Sequence, residues 1–551
     1  MNPPKIKIRE ARGCIQSVET RMPFRFGIAE MRRMPHLFLR VTLEQGGARA
    51  TGLAADHLVP KWFTKNPRTT CDEDIREMRE VVLEACRIAQ DAAGESTPFA
   101  LWWEIYHEQQ RRAKTRGWPP LLASFGASLI ERALLDAFCR FGETPKPLAL
   151  VLRENSAGID PGRIYPELSG IAPADILPPR PSDRVLVRHT VGLGDPLTDD
   201  DLRNGEWPAA DGLPVSLRAC IRHYGLGRFK IKISGDTGKN IERLAAIASL
   251  LEREAPAGYR FTLDGNESYR SIEYFIDFWN RLTRTRELEP WLDHLLFVEQ
   301  PLHRDVALGT DLRKAFAGCP RVPRLVIDES DATIDTLPRA LACGYEGTTH
   351  KNCKGVFKSV ANLGLLTRRA ARTGLPFLFS GEDLSNIGPV ALLQDLCVAQ
   401  NLGLTDLERN GHHYFRGLSD FPRKLRTPLL KEHSDLYQEL DDGCPAVRIT
   451  NGEISCASVH RRGLGTSFDL DTGQFTPLEE SRPDVHVTSV KNQESGTDGA
   501  YLKNRTGGGL GREASLPFPA IFQGAFSPDP RDVRYKDAGE VATPTNVSAQ
   551  P

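Results

Sequence analysis

The feature that most constrains the fold is a regular alternation of short apolar segments with helix-length segments over residues 185–425. Strand-like segments such as RVLVRHTVG, RFKIKIS, LLFVEQP and RLVIDES are each followed by a stretch long enough for a helix. Parallel strands require such crossover connections, which are almost always right-handed. Roughly seven or eight of these units in about 240 residues match the size of a closed barrel of parallel strands. We therefore predict an α/β fold in which residues 185–425 form a TIM-type (β/α)7β barrel.

The rest of the chain divides around this barrel. Residues 1–149 begin with strand-like segments and continue with helical repeats of apolar residues, which predicts an α+β domain. The proline-rich residues 150–184 are predicted to be a connector or insertion. Residues 445–472 return to short strands with an Asn-Gly turn, so we expect them to rejoin the N-terminal domain. Residues 475–551 are rich in polar residues, glycine and proline, and we predict a disordered tail.

Composition excludes several classes of protein. The 551 residues are 40% hydrophobic and 26% charged, as in soluble globular proteins. A formal net charge of -1 gives no reason to expect binding to nucleic acid or to an anionic membrane. We find no apolar run long enough to span a bilayer and no signal-peptide pattern. Eleven cysteines without a CxxC pair indicate reduced thiols, so we expect a cytoplasmic protein.

Two lysines interrupt the apolar strand RFKIKIS. Side chains alternate across a strand, so Lys230 and Lys232 share one face while Phe229, Ile231 and Ile233 share the other. In a barrel the apolar face packs on the surrounding helices, so both lysines are expected to point inward near the catalytic end. The alternative is an exposed amphipathic strand.

Three acids follow successive apolar strand segments: Asp264 in TLDGN, Glu299 in FVEQP and Asp328 in VIDES. In a barrel these strand ends converge, and three carboxylates cannot all stay ionised there without a compensating cation. Oxygen ligands on a rigid frame suit Mg²⁺. Asn266 shares a face with Asp264 and is a supporting candidate, as is Glu329 next to Asp328. The alternative for each acid is a loop carboxylate that caps the following helix.

The next strand candidate, GTTHKNCKG, supplies Lys351 and, beyond it, Lys354. The second and sixth strands of an eight-stranded barrel lie on opposite sides of its axis, so Lys232 and Lys351 are predicted to face each other across the metal. Nearby positive charges lower the pKa of a lysine toward the range of a general base. We therefore expect Lys232 to act as the base and Lys230 to tune it, whereas the alternative for Lys351 is a solvent-facing loop lysine.

The combined K-x-K, D-x-N, E-Q-P and D-E-S set resembles the enolase superfamily, specifically its mandelate racemase/muconate lactonizing enzyme-like family, over roughly residues 5–470. The resemblance implies a capping domain, formed by the N-terminal part and the returning C-terminal segment, above the barrel. It implies Mg²⁺ held by Asp264, Glu299 and Asp328. Lys232 or Lys351 would then remove the proton next to the carboxylate of a small-molecule substrate, giving an enolate intermediate.

The reaction that follows from this resemblance stays open. Racemisation or epimerisation by an isomerase, cycloisomerisation, and dehydration by a lyase such as an acid-sugar dehydratase all begin with the same proton abstraction. Members of the family are commonly symmetric oligomers, so a homo-oligomer is expected. Because function is set by sites rather than folds, a barrel that binds a carboxylate without turning it over, with a scaffolding or regulatory role, is the alternative.

Further residues outside these four motifs are also candidates for the active site. SGEDLSN places Glu382 and Asp383 at the seventh strand, where racemase-like members carry the histidine of a His-Asp pair, and its absence favours the reading with two lysines. Lys354 follows the sixth-strand lysine, where the family often has a lysine or arginine. Capping-domain loops set specificity in this family, so Arg25 and, near the barrel end, His412 are candidates to contact the substrate.

Overall fold

The computed structural model describes residues 3–26, 29–92, 94–204, 207, 211–481 and 486–489. Its N-terminal part is an antiparallel sheet covered by helices. Helix α3 is buried from Leu121 to Cys139 and packs against the sheet so closely that a Cβ added to Gly52 would lie 2.0 Å from the Ala137 nitrogen. The elements are β1 (Lys7–Phe26), β2 (Ala29–Gln45), β3 (Ala48–His57), α1 (Cys71–Asp91), α2 (Pro98–Arg116) and α3 (Pro120–Cys139).

The predicted connector consists of short helices rather than strands. They are α4 (Leu148–Arg153), α5 (Pro161–Ile164) and α6 (Pro173–Ile176). Proline begins α5 and α6, where its missing N–H has no helical partner to lose. Between them, the Tyr165 hydroxyl donates a hydrogen bond of 2.6 Å to Asn362 Oδ1, which attaches the connector to the barrel.

Eight parallel strands follow and form the predicted barrel. They pair in chain order, and the last strand pairs with the first, which closes the sheet. The predicted (β/α)7β fold is therefore confirmed. The elements are β4 (Arg184–Val191), α7 (Leu217–Tyr224), β5 (Arg228–Lys232), α8 (Thr237–Glu254), β6 (Arg260–Asp264), α9 (Ile272–Arg284), β7 (Leu295–Glu299), α10 (Arg304–Ala307), α11 (Leu312–Ala315), β8 (Leu325–Ile327), α12 (Thr336–Cys343), β9 (Gly347–His350), α13 (Val356–Thr373), β10 (Leu378–Gly381), α14 (Ala391–Asn401) and β11 (Asp406–Arg409).

The strand register aligns the carboxyl ends of the barrel strands. Lys232 lies opposite Asp264, and Asp264 lies opposite Glu299. Phe229 and Ile231 are fully buried within the hydrophobic core, which includes apolar residues of the surrounding helices. The register thus brings the charged residues of neighbouring strands to one level inside the barrel.

The C-terminal segment returns to both parts of the molecule. Its elements are α15 (Gly411–Tyr414), α16 (Arg426–Glu432), β12 (Tyr437–Glu439), β13 (Pro445–Val447), β14 (Glu453–Ser455), β15 (Thr476–Pro477) and β16 (His486–Ser489). Strand β14 pairs with β4 of the barrel, whereas β15 pairs with β1 and β16 with β2. The backbone N–H of Leu464 donates to Asp136 on α3 at 2.8 Å, so the segment 445–472 contacts both the barrel and the N-terminal domain.

Two strands therefore lie inside the range that we predicted to be a disordered tail. β15 and β16 are only two and four residues long. They pair with strands more than 400 residues earlier in the chain, and such distant pairing is not visible in the local sequence. Leu478, next to β15, is fully buried. The rest of that prediction, from residue 490 onward, lies outside the described residues.

Two further observations concern the whole described chain. Each of the eleven cysteines has a free thiol. Among the helices of the described residues, none combines the length and the apolar composition that a bilayer crossing requires.

Candidate active site

Each of the eight barrel strands carries a charged side chain at or near its carboxyl end that points into the barrel. Together they form the barrel cluster, in which the lysines and Arg188 contact carboxylates of other strands. Because the site is buried, each charge depends on its neighbours for stabilisation. In strand order the members are Arg188; Lys230 and Lys232; Asp264; Glu299; Asp328; Lys351; Glu382; and Glu408.

Lys230 lies at the centre of this cluster. Its side chain is 1% exposed. Burial alone would lower the pKa of Lys230, but the surrounding carboxylates raise this pKa well above its usual range. The predicted tuning of Lys232 by Lys230 stays a prediction, and the structure adds that four carboxylates surround the Lys230 charge. Its Nζ lies 3.0 Å from Asp264 Oδ2, 2.7 Å from Glu299 Oε2, 2.7 Å from Glu382 Oε2 and 2.9 Å from Glu408 Oε2.

Lys232 and Lys351 both line one cavity at the mouth of the barrel. Lys232 Nζ donates a hydrogen bond of 2.5 Å to Asp264 Oδ2, and Lys351 Nζ donates to Asp328 Oδ2. Burial alone would lower the pKa of Lys351, but the charge of Asp328 raises it. Without a metal the nearest charged neighbour of Lys351 is a carboxylate, so the predicted lowering of its pKa, which depends on the metal as well as on the other lysine, stays a prediction.

Asp328 is the most strongly held carboxylate of the cluster. Lys354 Nζ donates to its Oδ1 at 2.7 Å, and Thr349 Oγ1 donates to the same oxygen at 2.5 Å. Burial alone would raise the pKa of Asp328, but Lys351 and Lys354 lower it well below its usual range. Asp328 is thus a fixed anion, and Lys354 orients it without lining the cavity.

Glu299 differs from Asp328 in its hydrogen bonding. Lys230 Nζ lies 2.7 Å from its Oε2, but among the described residues no donor makes a hydrogen bond of good geometry to either oxygen. Burial and the charges of Asp264 and Glu382 raise the pKa of Glu299 well above its usual range. An ion coordinated by Glu299 would satisfy these open acceptors, and hard oxygen donors on three neighbouring strands fit Mg²⁺. Asp264, Glu299 and Asp328 can therefore hold a divalent cation.

Asn266 and Glu329 lie beside the cluster. The backbone N–H of Asn266 donates to Asp264 Oδ1 at 2.8 Å, and its Nδ2 donates to Glu329 Oε1 at 3.2 Å. Asn266 lines the cavity. Burial, together with the charges of Glu267 and Asp328, raises the pKa of Glu329 to about 7. Glu329 thus acts on the site through Asn266.

Glu382 and Asp383 follow β10 and have different partners. Glu382 Oε1 accepts hydrogen bonds from Arg188 at 2.6 Å and from Ser380 at 2.5 Å, which fixes it beneath Lys230. Asp383 lines the cavity and pairs with Arg409 at 2.8 Å. Burial raises the pKa of Asp383 to about 6.

Sequence reasoning missed Glu408 and Arg188. Glu408 lines the cavity, and its Oε1 accepts a hydrogen bond of 2.8 Å from Thr190. Burial alone would raise the pKa of Glu408, but Lys230 and Lys232 lower it well below its usual range. The available signal was the same as for the predicted ligands, an acid directly after an apolar residue in a short strand.

The cap supplies an apolar wall opposite the charged floor. Alternation along β1 buries Phe24 and Phe26 on the cavity side, whereas Arg25 between them is exposed. Arg25 pairs with Glu30 at 2.7 Å and lines a neighbouring cavity instead. The ring of Trp62 lies over Lys351, with its centroid 4.7 Å from Nζ. The remaining apolar residues of this wall are Val59 and Leu384.

A second buried polar network, the cap network, joins the N-terminal domain to the barrel. Asp56 on β3 pairs with Arg132 on α3. Asn386 Nδ2 donates to Asp56 Oδ1 and to Asp395 Oδ2, both at 2.9 Å. Arg409 pairs with Asp395 at 3.3 Å. This network fixes the loop after β10, which also carries part of the cavity wall.

The fold has relatives among solved structures. An N-succinyl Arg/Lys racemase from Bacillus cereus superposes with a TM-score of 0.53 at 14% identity, covering 88% of this chain and 100% of that one. A muconate lactonizing enzyme from Pseudomonas fluorescens, complexed with muconolactone, gives 0.51 at 16% identity, covering 84% and 97%. An enolase from Bradyrhizobium, complexed with magnesium and mandelic acid, gives 0.50 at 13% identity, covering 84% and 96%.

The chain has the fold of the mandelate racemase/muconate lactonizing enzyme-like members of the enolase superfamily. The resemblance predicted from the strand-end motifs is thereby confirmed for the fold. The sequence matches no protein-family model and no curated protein sequence.

One predicted residue of this enolase-type barrel lies elsewhere. His412 is on α15, and its Nε2 lies 3.1 Å from His189 Nδ1. It does not line the cavity that holds Lys232 and Lys351. Adjacency to the last strand was the signal for His412, but the helix that begins at Gly411 turns this side chain away from the barrel interior.

Proposed function

We propose that the protein is an enolase-superfamily enzyme that removes the proton α to a substrate carboxylate. The observation that supports this most is that Lys232 and Lys351, from opposite strands of the barrel, line one cavity above an acid cluster. In this proposal Asp264, Glu299 and Asp328 hold Mg²⁺. When bound, Mg²⁺ supplies positive charge that stabilises the negative charge developing on the substrate carboxylate as the α-carbon loses its proton.

The lysines move the proton. Lys232 or Lys351 accepts it at Nζ, and it can do so only as a free amine, so the ion pairs with Asp264 and Asp328 must open in the working enzyme. Return of a proton from the opposite lysine gives racemisation or epimerisation. Donation of a proton from that lysine to a leaving group gives elimination. The reverse of an elimination within one molecule, an intramolecular addition, gives cycloisomerisation.

The cavity wall favours one class of carboxylate. Phe24, Phe26 and Trp62 present aromatic surface where the substituent of the α-carbon would lie. Such a wall stabilises an apolar substituent by burial and offers no partners to a chain of hydroxyl groups. We therefore infer that an apolar or aromatic carboxylate, rather than an acid sugar, is the substrate. The mandelic acid bound to the Bradyrhizobium relative supports a carboxylate of this kind.

The experiment is mass spectrometry of carboxylates incubated with the protein, Mg²⁺ and D₂O. The library contains aromatic hydroxy acids, N-acylated amino acids, dipeptides and acid sugars. Deuterium in an otherwise unchanged compound identifies a racemase or epimerase, loss of water identifies a dehydratase, and a ring isomer of equal mass identifies a cycloisomerase. Cytoplasmic location and homo-oligomeric state stay predictions of the sequence.

Three variants provide the controls. Lys232→Ala and Lys351→Ala should lose net turnover and keep at most the exchange that the remaining lysine supports, whereas Lys239→Ala, at a side chain that is 74% exposed, should keep full activity. A protein that binds a carboxylate with equal affinity before and after Lys232→Ala, with no exchange in any compound, would instead be a binding barrel.

A further inference from the structure

Three metal-binding side chains meet outside the barrel, at the seam where its first and last strands pair. They are His189 on β4, Cys220 on α7 and His413 on α15, and each is at most 2% exposed. One ligand atom from each lies within 4.8 Å of the others. His189 points outward because Arg188, its neighbour on β4, points into the barrel. This group, the seam cluster, is therefore on the opposite side of β4 from the barrel cluster.

We propose that the seam cluster binds a Zn²⁺ ion. In a tetrahedral site, Zn–S and Zn–N bonds of about 2.3 and 2.0–2.1 Å place sulfur and nitrogen about 3.6 Å apart. Cys220 Sγ lies 3.6 Å from His413 Nδ1. Two imidazoles and a thiolate form a ligand set that suits zinc, and they leave one position for a non-protein ligand such as water.

His189 has a hydrogen-bonding partner at its other nitrogen, and a carboxylate lies near the other nitrogen of His413. His189 Nδ1 is 3.1 Å from His412 Nε2, which leaves Nε2 of His189 for the metal. His413 Nε2 faces Asp195 Oδ2 at 3.8 Å, while its Nδ1 faces Cys220. Asp195 is itself fixed by the hydroxyl of Tyr414 at 2.6 Å. Outer partners of this type hold the ring and tautomer of metal-bound histidines.

Metal binding at this cluster requires the Cys220 thiol to lose its proton. Burial raises the pKa of the Cys220 thiol, so Zn²⁺ must displace its proton: the S–H bond breaks, an S–Zn bond forms and one proton leaves to solvent.

The position indicates what the ion does. Zn²⁺ at the seam would link β4 to the segment that follows the last barrel strand. His189 and His413 are 224 residues apart in the chain. A link that closes so long a loop stabilises the fold by constraining the unfolded chain. Arg21 of β1 donates to the carbonyl of His413 at 3.1 Å, so the cap rests on the same segment.

The test is the metal content of the full-length chain, produced without a histidine tag or chelator and measured by inductively coupled plasma mass spectrometry. We expect one zinc per chain, lost in Cys220→Ala and retained in Cys397→Ala, where another buried cysteine is removed. Asp264→Asn should also retain the zinc, which separates this site from the barrel cluster. His412→Ala should lower zinc affinity by roughly 10–100-fold without abolishing binding.

Cobalt provides a second measurement on the wild-type chain, in case a variant does not fold. Co²⁺ in place of zinc should give a thiolate charge-transfer band and the visible bands of a tetrahedral site. A wild-type chain that holds no zinc after incubation with Zn²⁺ and dialysis would overturn the proposal. Equal zinc content in wild-type and Cys220→Ala would also overturn it, since the thiolate would then not be a ligand.

Discussion

The barrel cluster and the cap network are both buried sets of acids and bases, but the hydrogen bonding of their carboxylates differs. In the cap network, each oxygen of Asp56 accepts a hydrogen bond, one from Asn386 and one from Arg132. In the barrel cluster, neither oxygen of Glu299 accepts a hydrogen bond from the described residues, although Lys230 Nζ lies 2.7 Å from Oε2 as an ion-pair partner. Burying an acceptor without a partner costs free energy, so a fold tolerates it where a ligand will complete the site. The difference separates a network that joins domains from one that is built to bind.

Breaking the cap network should have the largest effect on stability. Arg132→Met leaves Asp56 buried without its cation, and we expect the free energy of unfolding to fall by about 3–5 kcal/mol. Urea unfolding measures this loss. The matched control is Arg111→Met, which breaks an exposed pair with Glu108 and should cost less than about 1 kcal/mol. Equal stability of Arg132→Met and wild-type would show that the network does not hold the domains.

The loss in Arg132→Met should depend on pH. Burial already raises the pKa of Asp56 in the folded chain, and removal of Arg132 raises it further. The folded state then binds more protons than the unfolded state above the unfolded pKa of about 3.9, so stability decreases as the pH rises. The deficit relative to wild-type should therefore be larger at pH 8 than at pH 5. A deficit that grows on acidification would contradict this account.

The same kind of change in the barrel cluster should affect binding instead of stability. Glu299→Gln removes a proposed metal ligand, and we expect Mg²⁺ affinity to fall about a hundredfold, or about 2.8 kcal/mol, by calorimetric titration. Because Glu299 lies among other acids, and Lys230 keeps three further carboxylate partners, its neutralisation should not lower the melting temperature of the metal-free protein. Unchanged Mg²⁺ affinity would remove Glu299 from the metal site.

The apolar wall predicts a smaller effect that is confined to the substrate. Trp62→Ala should lower kcat/KM for an aromatic carboxylate about tenfold, or about 1.4 kcal/mol, because it removes part of the apolar surface and the ring over Lys351. Trp62→Phe keeps an aromatic ring and should lose less. A Trp62→Ala variant with wild-type kcat/KM would show that the substrate does not reach this wall.

Much of the barrel and its floor was predictable from sequence because strand position determines both. Asp264, Glu299 and Asp328 follow apolar runs, and the register of a parallel barrel brings such residues to one level. Glu408 obeys the same rule but was missed, since its four-residue strand follows a polar turn and lacks a long apolar run. The short strands β15 and β16 were not predicted, because they form by pairing with strands far away in the chain. Their local sequence pattern does not indicate a strand.

The cap side of the site was harder to predict. Arg25 was predicted to contact the substrate because it is charged. The alternation of side chains along β1 instead places its neighbours Phe24 and Phe26 in the cavity. The effect of Lys230 depends on four acids from four other strands, and sequence alone did not reveal that they surround it. The adjacency of His412 and His413 likewise did not show that both face the outer side of β4.

The measurement that tests the central claim most directly is deuterium exchange into each enantiomer of a substrate by Lys232→Ala and Lys351→Ala. If the two lysines serve opposite faces of the α-carbon, each variant should lose exchange with one enantiomer by about 10²–10⁴-fold and keep it with the other. Wild-type exchange with both enantiomers in both variants would contradict the assignment of these lysines as the proton-transferring groups.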